Sequence, residues 1–125
     1  MNFFKLIKAL FASAPRMAPG DCIARLNSGH AVLIDVREPG EWPGGVARSA
    51  VLLPLSDLIG ARAKWTAFLA AAAGRELFVY CAMGGRSGIA ARVLVAEGYR
   101  AVNVGGLDDW KAAGWPVVKP AGPRS

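Results

Sequence analysis

The stretch Val79-Tyr-Cys-Ala-Met-Gly-Gly-Arg-Ser87 joins the end of an apolar run to the start of a helical pattern. Leu77–Tyr80 has the length and composition of a buried strand, and the run ends at Cys81. Gly84 and Gly85 allow the following loop to curl, so that successive backbone N–H groups converge on one point. Because ligands of parallel sheets bind beyond the carboxyl ends of the strands, the stretch predicts a ligand site at Cys81.

The same loop is predicted to form an anion cradle. A helix that begins at Arg86 or Ser87 places its unpaired N–H groups and its partial positive charge behind the loop. Arg86 adds a permanent positive charge. Such surroundings lower a cysteine pKa from about 8.5 to roughly 3.5–7.5, so Cys81 is predicted to be a thiolate without a histidine base. The alternative is a buried, inert cysteine beside a plain turn, but the Gly-Gly-Arg-Ser that follows favours the cradle.

Outward from this stretch, strand-like and helix-like segments alternate along the chain. Apolar runs predict strands at 31–35, 50–53, 77–80 and 101–104. Helical spacing and end signals predict a helix from Pro19 to about Leu26, and others at 62–73, 87–97 and 108–113. A loop with at most a short helical turn is predicted at 38–45. Alternating strands and helices require crossover connections, which predicts an α/β fold whose mainly parallel sheet has helices on both faces.

Three blocks of this sequence carry a resemblance to a known family. They are Leu33-Ile-Asp-Val-Arg-Glu-Pro39 with Glu41-Trp42 after it, Val79–Ser87, and Gly105-Gly-Leu-Asp-Asp-Trp110 closed by Ala113-Gly-Trp-Pro-Val117. With these blocks in this order, the chain from about Met17 to Val118 resembles the rhodanese family in its single-domain form. The resemblance implies the rhodanese-like three-layer α/β/α fold with a mainly parallel sheet.

The resemblance also implies a sulfurtransferase that needs neither cofactor nor metal. Cys81 matches the family nucleophile, which takes a sulfane sulfur from a donor such as thiosulfate and becomes a persulfide. A thiophilic acceptor (cyanide, a thiol or a protein cysteine) then removes the sulfur. The residues that match the substrate-binding loop are Ala82, Met83, Gly84, Gly85, Arg86 and Ser87. Two alternatives stay open, a sulfur carrier docked to a partner protein and a non-catalytic rhodanese-like module tethered by its N-terminal helix.

The length and charge of the loop refine these expectations. Phosphatases that share the fold carry one more residue between cysteine and arginine, so the shorter loop here suits a single sulfur atom better than a phosphate. The loop is neutral apart from Arg86, which leaves a protein-bound persulfide open as donor beside a small sulfur-containing anion. Val46 stands where family members often have a histidine. Asp35 and Arg37 of the first block are predicted to form a charge-paired brace at a strand end.

Composition limits the number of domains and the kinds of partner. The chain of 125 residues suffices for one domain, and 54% hydrophobic residues exclude disorder along most of it. No window approaches the ~20 consecutive apolar residues that a membrane span needs. The net charge is +6, yet residues 21–118 hold ten basic and nine acidic side chains, which argues against nucleic acid as a partner. A lone histidine and two cysteines, Cys22 and Cys81, give no metal-ligand pattern and no disulfide framework.

The excess positive charge lies at the two ends of the chain. We divide the chain into a basic amphipathic extension (1–17), a rhodanese-like domain (18–118) and a flexible basic tail (119–125). Apolar residues at helical spacing accompany Lys5 and Lys8 in the extension. This helix packs on the domain or on a second copy, lies on a membrane surface, or belongs to a secretory signal, and we favour packing. We expect a cytoplasmic monomer or weak dimer, in preference to export or peripheral membrane association.

The other notable side chains are predicted to be structural. Cys22 shares an apolar helix face with Ile23 and Leu26, which favours a buried filler over a resolving partner for Cys81. His30 precedes a strand, which predicts an exposed turn residue. The tryptophans stand in helical or turn contexts typical of packing rather than of stacking platforms. They are Trp42, Trp65, Trp110 and Trp115.

Overall fold

The computed structural model describes residues 2–120. Its helices are α1 (Phe3–Phe11), α2 (Pro19–Asn27), α3 (Leu55–Leu58), α4 (Ala63–Ala71), α5 (Gly85–Ala96) and α6 (Leu107–Ala112). Its strands are β1 (Ala31–Asp35), β2 (Val46–Ala47), β3 (Val51–Leu52), β4 (Glu76–Cys81), β5 (Ala101–Gly106) and β6 (Val117–Val118). A 3-10 helix at Pro39–Gly44 occupies the predicted loop after β1.

Four parallel strands form the central sheet, in the order β3-β1-β4-β5. β4 therefore lies inside the sheet, where it pairs with β1 from Glu76 to Tyr80 and with β5 from Leu77 to Cys81. All residues of β1 are buried, as expected for a strand that is covered on both faces. The predicted three-layer α/β/α architecture with a mainly parallel sheet is confirmed.

Alternating side chains of the strands enter two cores, one on each face of the sheet. Val79 and Cys81 of β4 belong to the core that includes side chains of α1, α3, α4 and α5. Phe78 and Tyr80 belong to the opposite core, to which α2 and α6 contribute. Consecutive residues of one strand thus serve different layers, and the sulfur of Cys81 lies on the α5 side.

Helix α4 is shorter than the predicted span of 62–73. Arg62 precedes the helix with φ of 60°, a left-handed conformation that cannot belong to the helix itself. The carboxylate of Asp57 accepts hydrogen bonds of 3.0 Å from the backbone N–H groups of Ala63, Lys64 and Trp65. A side chain from α3 therefore caps α4, which the local pattern of α4 does not reveal.

A second, antiparallel pair of strands was not predicted. Val46 pairs with Val118, and Ala47 pairs with Val117. Each strand has only two residues, too few to show an alternating pattern. Val46 is buried and sits in this pair, at the position where the resembling family often has a histidine.

The segments at both ends of the described residues contact the domain. α1 packs against α5 with Ala9 fully buried, which agrees with the favoured interpretation of the extension. After α1, the backbone of Asn103 donates to the carbonyl of Pro15 and accepts from the N–H of Met17, so the extension adds to the edge of β5. Lys119 donates to the carbonyl of Pro43, whereas residues 121–125 of the predicted tail lie outside the described residues. Within 2–120, no helix has the length and apolar character that crossing a membrane requires.

Candidate active site

Cys81 is the last residue of β4, and the loop after it curls around the sulfur atom. The side chain is 1% exposed. The backbone N–H of Gly84 donates to Sγ at 3.0 Å, and the N–H groups of Met83 and Ser87 also point toward the sulfur. Several donors from one short loop therefore converge on a single sulfur atom, as the sequence predicted.

Gly84 makes this curl sterically accessible. Its φ of 96° is a left-handed conformation that glycine adopts readily, and α5 begins directly after it. A Cβ on Gly84 would lie 3.6 Å from Cα of Gly105, and the amide of Asn103 donates to the Gly84 carbonyl at 3.0 Å. The loop is thus held against β5, while Met83 at its outer turn is 91% exposed. α5 begins at Gly85, slightly before the predicted start.

Ser87 provides the only side-chain hydroxyl near the sulfur among the described residues. Its Oγ lies 3.4 Å from Sγ of Cys81, 2.8 Å from Oδ1 of Asn103 and 3.4 Å from the carbonyl of Gly105. One hydroxyl proton cannot serve three acceptors at once. Asn103 Oδ1 also accepts from the N–H of Gly105 at 3.2 Å, so the hydroxyl can turn toward a thiolate without leaving that oxygen unpaired.

The pKa of Cys81 is lowered by these contacts. Burial alone raises a thiol pKa, because it disfavours the charged form. The hydroxyl of Ser87 and the N–H groups of the loop lower it by more than burial raises it. The surroundings of Cys81 therefore favour its thiolate form more than burial alone would allow.

Ser87→Ala is expected to raise the pKa of Cys81, since it removes the side-chain donor that favours the thiolate. The iodoacetamide alkylation rate of the native protein should titrate with a midpoint below the ~8.5 of a free thiol. In Ser87→Ala the midpoint should move up, and the rate at a pH below both midpoints should fall severalfold. Identical midpoints in the two proteins would show that Ser87 does not act on the thiol.

Arg86 is tied to a carboxylate at the edge of the site. Its guanidinium forms a two-point ion pair with Glu41 of the 3-10 helix, with one Nη2–Oε2 distance of 2.9 Å. This hydrogen bond from Arg86 lowers the pKa of Glu41 to about 2, so the pair persists wherever Cys81 titrates. The positive charge that the sequence assigned to the cradle is thus balanced by a negative one.

A buried brace supports the neighbouring strand end. Asp35 at the end of β1 is fully buried and accepts from the guanidinium of Arg37, with an Nη2–Oδ2 distance of 2.8 Å. Tyr80 donates its hydroxyl to the same carboxylate at 2.6 Å and accepts from the N–H of Ala47 at 2.9 Å. The predicted pairing of Asp35 with Arg37 is confirmed. It fixes the residue that precedes Cys81, but it does not contact the sulfur.

Residues 18–113 match the rhodanese-like domain, which covers the brace, the cradle and most of the sheet. The chain belongs to the rhodanese-like domain family. Both the family and the fold implied by the three sequence blocks are thereby confirmed.

Two curated relatives and a solved structure are similar to this rhodanese-like protein. It is 34% identical over 93 residues to a sulfurtransferase of Allochromatium vinosum, in a match that covers 73% of this chain and 81% of the relative. It is 39% identical over 90 residues to an uncharacterized protein of Synechocystis, covering 70% of this chain but only 47% of that relative's length. A rhodanese-related protein from Thermoplasma volcanium superposes with a TM-score of 0.67 at 30% identity, covering 85% of this chain and 99% of that one. The family match and the Allochromatium relative support a general sulfurtransferase family.

The second cysteine of this rhodanese-like domain is remote from the cradle. Cys22 is fully buried in the core on the α2 side of the sheet, whereas Cys81 faces the α5 side. Burial raises the pKa of Cys22 to about 11. The predicted filler role of Cys22 is confirmed, and the alternative of a resolving partner is wrong, because the sheet separates the two thiols.

The tryptophans and the histidine have the predicted structural places. Trp65, Trp110 and Trp115 are buried, and Trp42 is half-buried with its indole N–H 3.3 Å from Asp35. His30 is exposed and contacts the hydroxyl of Ser28.

Three residues near the cradle were missed by the sequence reasoning. Asn103 holds both Ser87 and the Gly84 carbonyl, and Glu41 engages Arg86. Arg16, in the N-terminal extension, has its Nη2 3.9 Å from the position of a Cβ on Gly84. Arg16 is exposed and pairs with no carboxylate of residues 2–120. The extension therefore brings a second guanidinium to the back of the loop.

Proposed function

We propose that this rhodanese-like protein is a sulfurtransferase that carries a sulfane sulfur on Cys81. The observation that carries the proposal is the convergence of backbone and hydroxyl donors on a sulfur whose pKa is lowered. The same donors suit a persulfide, because its outer sulfur also carries negative charge and would lie at the opening of the loop. The proposal requires neither a cofactor nor a metal.

The reaction is a double displacement. The Cys81 thiolate attacks the sulfane sulfur of a donor such as thiosulfate; a new S–S bond forms, and the donor's S–S bond breaks as sulfite leaves with the bonding electrons. A thiophilic acceptor (cyanide, a thiol or a protein cysteine) then attacks the outer sulfur. That step breaks the persulfide bond and returns Cys81 as a thiolate. The chain's own residues bind the anion, stabilise the thiolate and exclude water from it.

The charge balance at the edge of the site favours a donor that is not a free dianion. Glu41 neutralises Arg86, and Ala82 and Met83 offer no cation, so a small dianion relies mainly on the backbone N–H groups of the loop. A persulfide on a partner protein needs less positive charge than thiosulfate does. A docked sulfur carrier is therefore the second candidate function, and the exposed Met83 lies where such a partner would touch the loop.

The charge of the Glu41–Arg86 pair should set the preference for anionic donors. With cyanide as acceptor, Glu41→Gln is expected to raise kcat/KM for thiosulfate about fivefold, because it leaves the charge of Arg86 unpaired. Arg86→Ala is expected to lower kcat/KM for thiosulfate by about the same factor. With a persulfidated protein as donor, both variants should stay within about twofold of the native enzyme. Glu97→Gln, which breaks a comparable exposed pair with Arg62, is the matched control. If Arg86→Ala lowered kcat/KM equally for thiosulfate and for the persulfidated protein, Arg86 would not act through the charge of the donor.

The intact mass of the protein tests the proposed function directly. The protein is incubated with thiosulfate, or with a persulfidated cysteine desulfurase, and then with cyanide. One added sulfur atom that leaves with cyanide supports the proposal. An adduct from the desulfurase alone assigns the carrier function. No adduct from either donor, together with a thiol that resists alkylation, leaves a non-catalytic module and overturns the proposal.

The cell compartment and the assembly of the protein complete the proposal. We propose the cytoplasm, because a reducing compartment keeps Cys81 as a free thiol between turnovers. We propose a monomer or weak dimer, because one short loop and the start of α5 already surround Cys81 with donors.

A further inference from the structure

Helix α1 exposes a continuous apolar stripe. Phe3, Phe4 and Phe11 are 71%, 82% and 88% exposed, and Ile7 and Leu10 are also exposed. On an α-helix, the residues that lie one, four, seven and eight positions after Phe3 project from the same broad face as Phe3. The five side chains therefore form one surface, which we call the α1 stripe.

The α1 stripe is distinct from the face by which α1 packs on the domain. Ala9 is fully buried against α5, and Leu6 is half-buried in the same core. These two residues account for the packing of α1, and none of the three phenylalanines takes part in it. A helix that only needed to pack on α5 would have a polar face in place of the stripe.

The charges beside the α1 stripe are positive. Lys5 and Lys8 lie on α1, and the chain has no acidic residue before Asp21. Glu97 lines a cavity with both lysines, but both of its carboxylate oxygens are held by Arg62 at 2.6 Å. Within residues 2–120, neither lysine forms an ion pair. The lysines therefore keep their charge available to a partner.

We propose that α1 docks this protein on an anionic lipid surface. The helix would lie in the plane of the interface, with the phenylalanines at the acyl boundary and the lysines among the headgroups. Charge favours this partner over a second copy, since an isologous contact through the stripe would bring the lysines of two like-charged helices together. The proposal does not depend on the chemistry of Cys81.

The two lysines of α1 are remote from the cradle along α5. Lys5 and Lys8 meet α5 at Ala96, its last residue, whereas the cradle lies before its first residue, Gly85. A helix of this length is about 18 Å long. The two lysines therefore lie near the opposite end of α5 from Cys81.

Vesicle sedimentation tests the proposal with the full chain. Vesicles of phosphatidylcholine are compared with vesicles that also contain phosphatidylglycerol. We expect the protein to partition at least about tenfold more strongly onto the anionic vesicles. Lys5→Gln/Lys8→Gln should remove this preference, and Phe4→Ser/Phe11→Ser should weaken binding at least about tenfold. Val118→Ser, which changes an exposed apolar residue outside α1, should bind like the native chain.

Three results would overturn the proposal. The first is equal partitioning of the native protein onto neutral and anionic vesicles. The second is binding that survives Phe4→Ser/Phe11→Ser. The third is self-association: the native protein is a dimer in sedimentation equilibrium, Phe4→Ser/Phe11→Ser is a monomer, and neither protein binds vesicles. That result would assign the stripe to contact between two copies. Because the substituted residues are exposed, melting temperature and Cys81 alkylation should match the native values and so exclude misfolding as the cause.

Discussion

Cys81→Ser is expected to abolish sulfur loading, with a fall in turnover of at least about a thousandfold. A serine hydroxyl is not ionised near neutral pH, and the donors that lower the pKa of the thiol cannot make it a comparable nucleophile toward sulfur. Intact mass after incubation with a sulfur donor provides the measurement. The native protein gains one sulfur atom, and the variant gains none.

Cys22→Ala is the matched control for this experiment. Cys22 is the other thiol of the chain, and it is buried on the opposite side of the sheet with its pKa raised to about 11. The Cys22→Ala substitution should therefore leave sulfur loading unchanged, although the loss of the buried side chain can lower the free energy of unfolding by about 1–2 kcal/mol. A sulfur adduct that persists in Cys81→Ser and disappears in Cys22→Ala would refute the assignment of the nucleophile.

The layout of the sheet could be predicted from the sequence because its strands are buried on both faces. Ala31–Ile34 and Leu77–Tyr80 are continuous apolar runs, and such runs are typical of parallel strands inside an α/β fold. The glycines of the loop could be interpreted for a similar reason. Gly84 has the positive φ that the curl requires, and it follows a strand and precedes a helix, as the sequence order indicated.

Contacts between distant parts of the chain could not be predicted in the same way. Glu41 was recognised only as part of a sequence block, because nothing local indicates that it meets Arg86. Asn103 lies in a strand, where a polar residue shows only that the strand ends there or that the side chain has a buried hydrogen-bond partner. The contacts of Asn103 with the loop depend on the pairing of β4 with β5. Residue types thus predicted the candidate nucleophile and its donors, whereas the charge balance around them depends on tertiary structure.

The N-terminal extension shows the same limit. Its apolar and basic pattern predicted an amphipathic helix, which α1 confirms. The pattern could not show that the chain after α1 would join the edge of β5, since only Pro15 and Met17 bond there through their backbones. That attachment is what brings Arg16 to the loop.

Arg37→Ala is expected to lower the free energy of unfolding by about 3 kcal/mol, the largest stability effect that we predict outside the hydrophobic cores. The substitution leaves the carboxylate of Asp35 buried without its cation, and it removes a 2.7 Å hydrogen bond to the carbonyl of Gly45. The hydroxyl of Tyr80 and the indole of Trp42 still donate to Asp35 in the variant. The loss of stability should therefore lie near the lower end of the range for a broken buried ion pair. Urea denaturation measures the change as a lower midpoint at an unchanged slope.

Two further variants separate the charge from its hydrogen bonds. Tyr80→Phe removes one neutral donor and should cost about 1–2 kcal/mol. Asp35→Ala/Arg37→Ala removes both charges, so it should be less destabilising than the sum of the two single substitutions, because no unpaired ion remains in the core. Strict additivity would mean that the two charges do not stabilise each other. Since the brace does not touch the sulfur, the alkylation midpoint of Cys81 should stay at its native value in every variant that remains folded.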